Sequence, residues 1–168
     1  MKRARVGITT AAVLAVASLA FAQKPDFSGT WTLDEQASGM AAPAGGGAPG
    51  GGGGGRGGFG GGALGNGGTV KQTADTLTIE RTMGENKVVT SYKLDGSESK
   101  NTMMGRNGQM ESVSTAKFDG PALTITTKVD MGNGPMETTQ KWSLAGNVLT
   151  VESTNARGTQ KRVYKKTT

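Results

Sequence analysis

From Thr69 onward the chain alternates apolar and polar residues with a period of two, and each alternating run is short. Leu77 and Ile79 alternate with Thr76, Thr78 and Glu80, Leu123 and Ile125 with Thr124 and Thr126, and Leu149 and Val151 with Thr150 and Glu152. A period of two sends successive side chains to opposite faces of a strand, and no segment carries the 3.6-residue period of an amphipathic helix. The many threonines suit pleated, half-solvated strands. The Leu-Thr-Ile/Val phrase recurs at unequal intervals, so it is a strand chemistry and not a solenoid repeat.

Turn residues cut these runs at Ala74-Asp75, Met83 to Asn86, Asp95-Gly96, Gly105 to Gly108, Asp119-Gly120, Gly132 to Gly134, Gly146-Asn147 and Ala156 to Gly158. Asp-Gly and Asn-Gly pairs supply the positive φ that tight hairpins need. With a further strand at Phe27 to Leu33, the pattern predicts an all-β fold, an antiparallel up-and-down meander of about ten strands. That number is uncomfortable for one open twisted sheet, and closure into a barrel removes exposed edges. In such a meander the turns near Gly84, Gly105, Gly132 and Gly158 share one end, and those near Asp75, Gly96, Gly120 and Gly146 the other. Met83, Met103, Met104, Met131 and Met136 gather at the first end, which is the candidate mouth.

The N-terminus reads as a secretory signal. Lys2, Arg3 and Arg5 precede the small apolar stretch from Val6 to Ala22, which ends in Ala20-Phe21-Ala22, an A-x-A cleavage pattern. The expected product is a mature chain from Gln23, located in a bacterial periplasm or secreted, with no integral membrane span. Removing three of the 19 basic residues leaves 16 against 13 acidic ones, and the formal charge falls from +6 to an excess of three. That mild, dispersed excess does not predict a nucleic-acid partner. The absence of cysteine excludes a disulfide staple, and the absence of histidine excludes Ser-His-Asp and Cys-His catalysis and ordinary zinc sites.

Between Gly39 and Gly68 the composition collapses to Gly, Ala and Pro, with Gly50 to Gly55 unbroken. Such a segment buries too little apolar surface to offset its chain entropy, which predicts a disordered insert over 39–68 within a single domain spanning 23–168. Gly55 to Gly60 resembles an RGG element of RNA-binding tails, but one arginine and one phenylalanine do not build an RNA site.

The two ends of the mature chain carry a further pattern. Phe27, Gly29, Trp31 and Leu33 form F-x-G-x-W-x-L, and Arg162, Tyr164 and Lys165 lie in the last strand. These motifs resemble the opening and closing strands of the calycins, which include lipocalins and fatty-acid-binding proteins. The D-F-S-G-T-W start is also similar to small exported bacterial lipocalin-like proteins. The resemblance to fatty-acid-binding proteins implies a ten-stranded barrel with an insert over its portal, and an inward Arg162–Tyr164 pair holding a ligand carboxylate. The resemblance to lipocalins implies instead an arginine packed on Trp31. The motifs cover about a dozen residues at the two ends, and the middle of the chain matches only as a strand pattern.

Arg162 and Tyr164 lie two apart and share one strand face, so a guanidinium fork and a phenol donor can converge on one anion. Trp142 shares a face with Met136, Thr138, Gln140 and Leu144, and Tyr92 with Val88, Thr90 and Leu94. Those rows suit either a cavity lining or a core. Arg81 continues the Leu77–Ile79 face, which would make it a second internal cation, but we expect it to leave the barrel near Gly84. The methionines could ligate Cu(I), but they lack a tight repeat and better suit a flexible apolar rim. Asp75, Asp95 and Asp119 fall in turns, and no acidic pair has a catalytic setting.

The sequence therefore predicts an exported, non-enzymatic monomer that reversibly binds a small hydrophobic or amphipathic ligand, such as a fatty-acid-like anion. Arg162, Tyr164, Trp31, Tyr92 and Trp142 are the candidate binding residues, with no cofactor and no metal. The alternative is a filled barrel serving as a non-catalytic interaction or structural module of the cell envelope.

Overall fold

The structure, a computed structural model, describes residues 24–40, 62–105, 108–130, 132 and 134–167. The predicted signal segment, the stretch 41–61 and Met131 lie outside the described residues.

Ten antiparallel strands follow one another: β1 (Gly29–Leu33), β2 (Gly67–Gln72), β3 (Thr76–Met83), β4 (Asn86–Lys93), β5 (Asp95–Gly105), β6 (Gly108–Asp119), β7 (Ala122–Asp130), β8 (Pro135–Ala145), β9 (Val148–Asn155) and β10 (Gly158–Thr167). They hydrogen-bond in the order β4-β3-β2-β1-β10-β9-β8-β7-β6-β5. The pairing of β1 with β10 joins the two ends of the chain, Trp31 standing opposite Lys166 and Leu33 opposite Tyr164. This is the expected up-and-down barrel, and its turns alternate between the two ends as the meander requires.

Closure is incomplete in one place. β4 and β5 end the ladder order, and a bulge between Asp95 and Glu98 accompanies their divergence. Side chains cross the seam in place of a backbone ladder. Asn101 Oδ1 accepts from the Ser91 amide at 2.8 Å while Asn101 Nδ2 donates to the Ser91 carbonyl at 2.9 Å. Ser99 Oγ accepts from the Lys93 amide at 2.8 Å. The Asn101 amide group thus imitates a peptide unit of the missing ladder.

Register sorts the lumen into layers. One inward row runs Phe118, Leu123, Trp142, Val151, Arg162 from β6 to β10. The next row toward the mouth runs Ala116, Ile125, Gln140, Ser153, Gln160, and the one above it Ser114, Thr127, Thr138. Apolar residues therefore give way to hydroxyls and amides on approaching the mouth. Ser99, Ser112, Ser114, Thr138, Gln140 and Ser153 are all buried.

The far end is sealed by residues preceding β1. Phe27 is fully buried, stacks near Phe118 at 6.3 Å and meets Trp142 edge-on at 5.8 Å. Gln72 holds this segment, accepting from the Phe27 amide at 3.0 Å and donating to the Pro25 carbonyl at 2.9 Å. The Phe27 carbonyl in turn accepts from Trp31 Nε1 at 2.9 Å. The F-x-G-x-W phrase therefore puts both rings into one apolar floor.

At the mouth end β1 and β2 are only five and six residues long. The rim is low there, and the chain uses the gap. Residues 62–66 form turns and 67–68 already belong to β2, so the insert expected to be disordered over 39–68 is structured at its C-terminal end. The Gly67 amide donates to the Leu64 carbonyl at 2.9 Å, and the Leu33 amide to the Asn66 carbonyl at 3.0 Å. Leu64 is 1% exposed and belongs to the hydrophobic core. A single leucine in a run of small residues is enough to anchor a turn, because burying it removes a whole branched side chain from water.

Candidate functional site

Inside the barrel, Arg162, Tyr164 and Arg81 gather around the 62–66 turn. β10 alternation turns Arg162 and Tyr164 inward. Arg162 Nη1 donates to the Gly65 carbonyl at 3.3 Å, and the Tyr164 hydroxyl donates to the same oxygen at 2.9 Å. The Tyr164 oxygen also accepts from Arg162. The two residues that the sequence placed on one face thus converge on one acceptor, which is a backbone carbonyl of the protein itself.

Arg81 joins them. The expectation that it leaves the barrel near Gly84 is corrected here: its side chain is partly buried, and Nη1 lies 2.8 Å from where a Cβ on Gly65 would stand. Its Nε is buried and makes no hydrogen bond among the described residues. The reason is the low rim. Gly68 is the neighbour of Arg81 on β2 and has no side chain to push the guanidinium outward; a Cβ there would lie 3.3 Å from Arg81 Cβ. The inward period of Leu77, Ile79, Arg81 was the available signal.

Tyr92 stands opposite Leu77 and is almost fully buried, as is Tyr164. Burial raises the pKa of both phenols, and the charge of Arg81 opposes that rise at each. Both phenols are therefore kept in the neutral form. All 13 acidic residues lie outside this region. The two least exposed, Asp34 and Glu80, bind lysines on the outer surface, with Lys165 at 2.7 Å from Asp34 and Lys71 and Lys87 at 2.8 and 2.9 Å from Glu80.

The tryptophans serve differently. Trp142 is fully buried and donates from Nε1 to Gln140 Oε1 at 3.1 Å, which leaves the Gln140 amide nitrogen facing the turn at Gly62. Trp31 lies in the floor, and the Lys166 ammonium stands 5.6 Å from the centre of its ring. Trp31, Tyr92, Trp142 and Tyr164 all belong to the one core cluster. Of the methionines, Met103 and Met110 face each other across β5 and β6, and Met136 stands opposite Val129; all three are half-buried toward the mouth, whereas Met83 is exposed.

Sequence reasoning missed the turn that occupies the lumen. Gly62 has φ +58° and Gly65 φ +56°, a region that side-chain-bearing residues seldom adopt. Both also lack room, since a Cβ on Gly62 would sit 2.9 Å from Gln140 Nε2. These glycines are placed by packing against opposite walls, which composition does not reveal.

Arg162 Nη1 and the Tyr164 hydroxyl thus meet on one carbonyl oxygen, and the Arg81 guanidinium lies against the same residue, with no acidic side chain among them. No family model matches the sequence, and no curated protein matches it. Among solved structures, secretory abundant heat soluble protein 4 from Ramazzottius varieornatus aligns over 84% of this chain and 94% of its own, with a TM-score of 0.50 and 21% identity. A second secretory abundant heat soluble protein from that organism covers 84% of this chain and 95% of its own, with a TM-score of 0.51 and 17% identity. A protein described as REP1-NXSQ fatty acid transporter aligns over 61% of this chain and 70% of its own, with a TM-score of 0.47 and 16% identity. The fold is that of a calycin-like β-barrel.

Proposed function

We propose that this protein is an exported, non-catalytic carrier that binds a small amphipathic anion in its lumen. The observation that carries the reading is the convergence of Arg162 and Tyr164 on one oxygen, with Arg81 beside it and every acidic residue elsewhere. Two partly buried guanidinium groups on the inner face of the barrel suit the planar, bidentate recognition of an anionic head group. The ligand's charged head binds Arg162, Tyr164 and Arg81, while Leu, Ile, Val and Met side chains of the surrounding wall take its apolar part. Among the described residues no helix is long and apolar enough to cross a membrane. Export follows from the signal-like first 22 residues.

The test is native mass spectrometry of protein purified from an exporting host, followed by fluorescence titration with cis-parinarate, a fluorescent fatty-acid anion. A bound mass released by organic solvent supports the reading. So does saturable probe binding that weakens about tenfold or more in Arg162→Gln while the variant stays folded. Binding indifferent to Arg162 would overturn it.

One observation favours a second reading. Leu64 packs into the core from the mouth side, so the lumen holds part of its own chain. On that reading the barrel is a filled interaction module of the envelope. It predicts a clean mass, no probe binding, and loss of stability as the only effect of Arg162→Gln.

A further inference from the structure

The Gly65 carbonyl occupies the position an anion would take. It accepts from Arg162 Nη1 at 3.3 Å and from the Tyr164 hydroxyl at 2.9 Å, and Arg81 Nη1 lies against the same residue. The turn carrying it spans the lumen, because Gly62 abuts Gln140 on β8 while Gly65 abuts Arg81 on β3. While the turn stays in place, its Gly65 carbonyl takes the Arg162 Nη1 and Tyr164 donors that a head group would use.

Among the described residues the turn is held by the Leu64 and Ala63 side chains against the core, the Gly67 amide on the Leu64 carbonyl, the Leu33 amide on the Asn66 carbonyl, and the donors just named. A neutral carbonyl also gives a guanidinium one oxygen and no counter-charge, whereas a carboxylate supplies an opposite charge and a second oxygen for bidentate pairing. Arg81 Nε has no hydrogen bond among the described residues, so a second oxygen would find a donor waiting.

We infer that the 62–66 turn is a built-in competitor for the anion site, which a carboxylate ligand expels from the lumen when it binds. This rests on the lumen being an anion site. The Gly65 carbonyl stands in for one carboxylate oxygen, giving the Arg162 and Tyr164 donors an acceptor inside the barrel. On loading, one ligand oxygen takes the Arg162 and Tyr164 donors and the other reaches Arg81. Apparent affinity is then lowered by the fraction of molecules whose turn is already out. Because the Asn66 carbonyl holds the Leu33 amide, expulsion also frees the mouth ends of β1 and β2, so the outer surface reports whether the lumen is loaded.

The test is amide hydrogen exchange of the whole exported protein with and without saturating cis-parinarate, together with titration of Leu64→Ala. Amides of Leu33 and Gly67 should exchange about tenfold faster when the probe is bound, and Leu64→Ala should bind it about tenfold more tightly. Unchanged or slower exchange at those amides, with binding that still requires Arg162, would overturn the competition and leave the anion site standing. Absence of binding, or binding indifferent to Arg162→Gln, would sink both. Should Leu64→Ala fail to fold, the exchange measurement on the unaltered protein decides alone.

Discussion

The Tyr164 hydroxyl donates to the carbonyl of Gly65 at 2.9 Å, linking the last strand to the end of the glycine-rich insert 99 residues earlier. Chain closure here has two parts. β1 pairs with β10 along the wall, and the insert returns to the same strand from inside. The Arg162–Tyr164 motif is therefore also a tertiary contact that seats a loop.

Both tyrosines of the protein are buried, and burial raises both pKa values. A raised folded-state pKa contributes stability that is complete below the unfolded value of about 10 and is lost as pH rises above it. Tyrosinate absorbance near 295 nm should therefore stay low past about pH 10 and then rise together with loss of the β-sheet circular dichroism signal. A smooth titration near pH 10 in a protein that remains folded would contradict the buried placement.

Glu80 is held down to about 2 by hydrogen bonds from Lys71 and then Lys87. A depressed carboxyl contributes stability that is present above its unfolded pKa of about 4.3 and is lost as pH falls toward about 2. The midpoint of thermal unfolding should drop across that interval, and in Glu80→Gln the drop should be shallower. Added salt should shrink the difference, because the lysines are exposed.

Asn101 makes two of the bonds that close the β4–β5 seam. Asn101→Ala should cost about 1–2 kcal/mol in urea unfolding, the net worth of one or two hydrogen bonds at a partly exposed site. The Ser91 amide should lose exchange protection first. Equal protection in the variant would mean that the seam is held by something other than Asn101.

Gly65→Ala should cost about 1–2 kcal/mol, because alanine at φ +56° suffers the left-handed penalty. Its new methyl also displaces Arg81 Nη1, which can swing aside. The same change at Gly84, also a positive-φ turn but with nothing within 4 Å, should carry only the backbone penalty. Chemical denaturation of the two variants, with cis-parinarate titration of each, separates strain from loss of the lumen contact.

Period-two alternation and turn residues made the barrel legible before any coordinates, including which turns share an end and that Arg162 and Tyr164 face the same way. Those features are local. Whether a side chain alternates, and whether a turn can adopt positive φ, depends on the residue and its immediate neighbours. The open β4–β5 seam was not legible, because divergence of two strands follows from a bulge and the twist of the whole sheet, which no single stretch encodes.

The inward path of Arg81 shows the same division. Its periodicity pointed into the lumen, yet its direction depends on the bare backbone of Gly68 on the next strand, a pairing that exists only once register is set. Composition alone made 39–68 one featureless insert. Folding separates its last residues from the rest, because Leu64 finds the core and Gly65 finds two arginines and a tyrosine contributed by β3 and β10. That Arg162 and Tyr164 share one face could be read from the chain; that they meet the Gly65 carbonyl could not, since that depends on long-range contacts made only when the barrel closes.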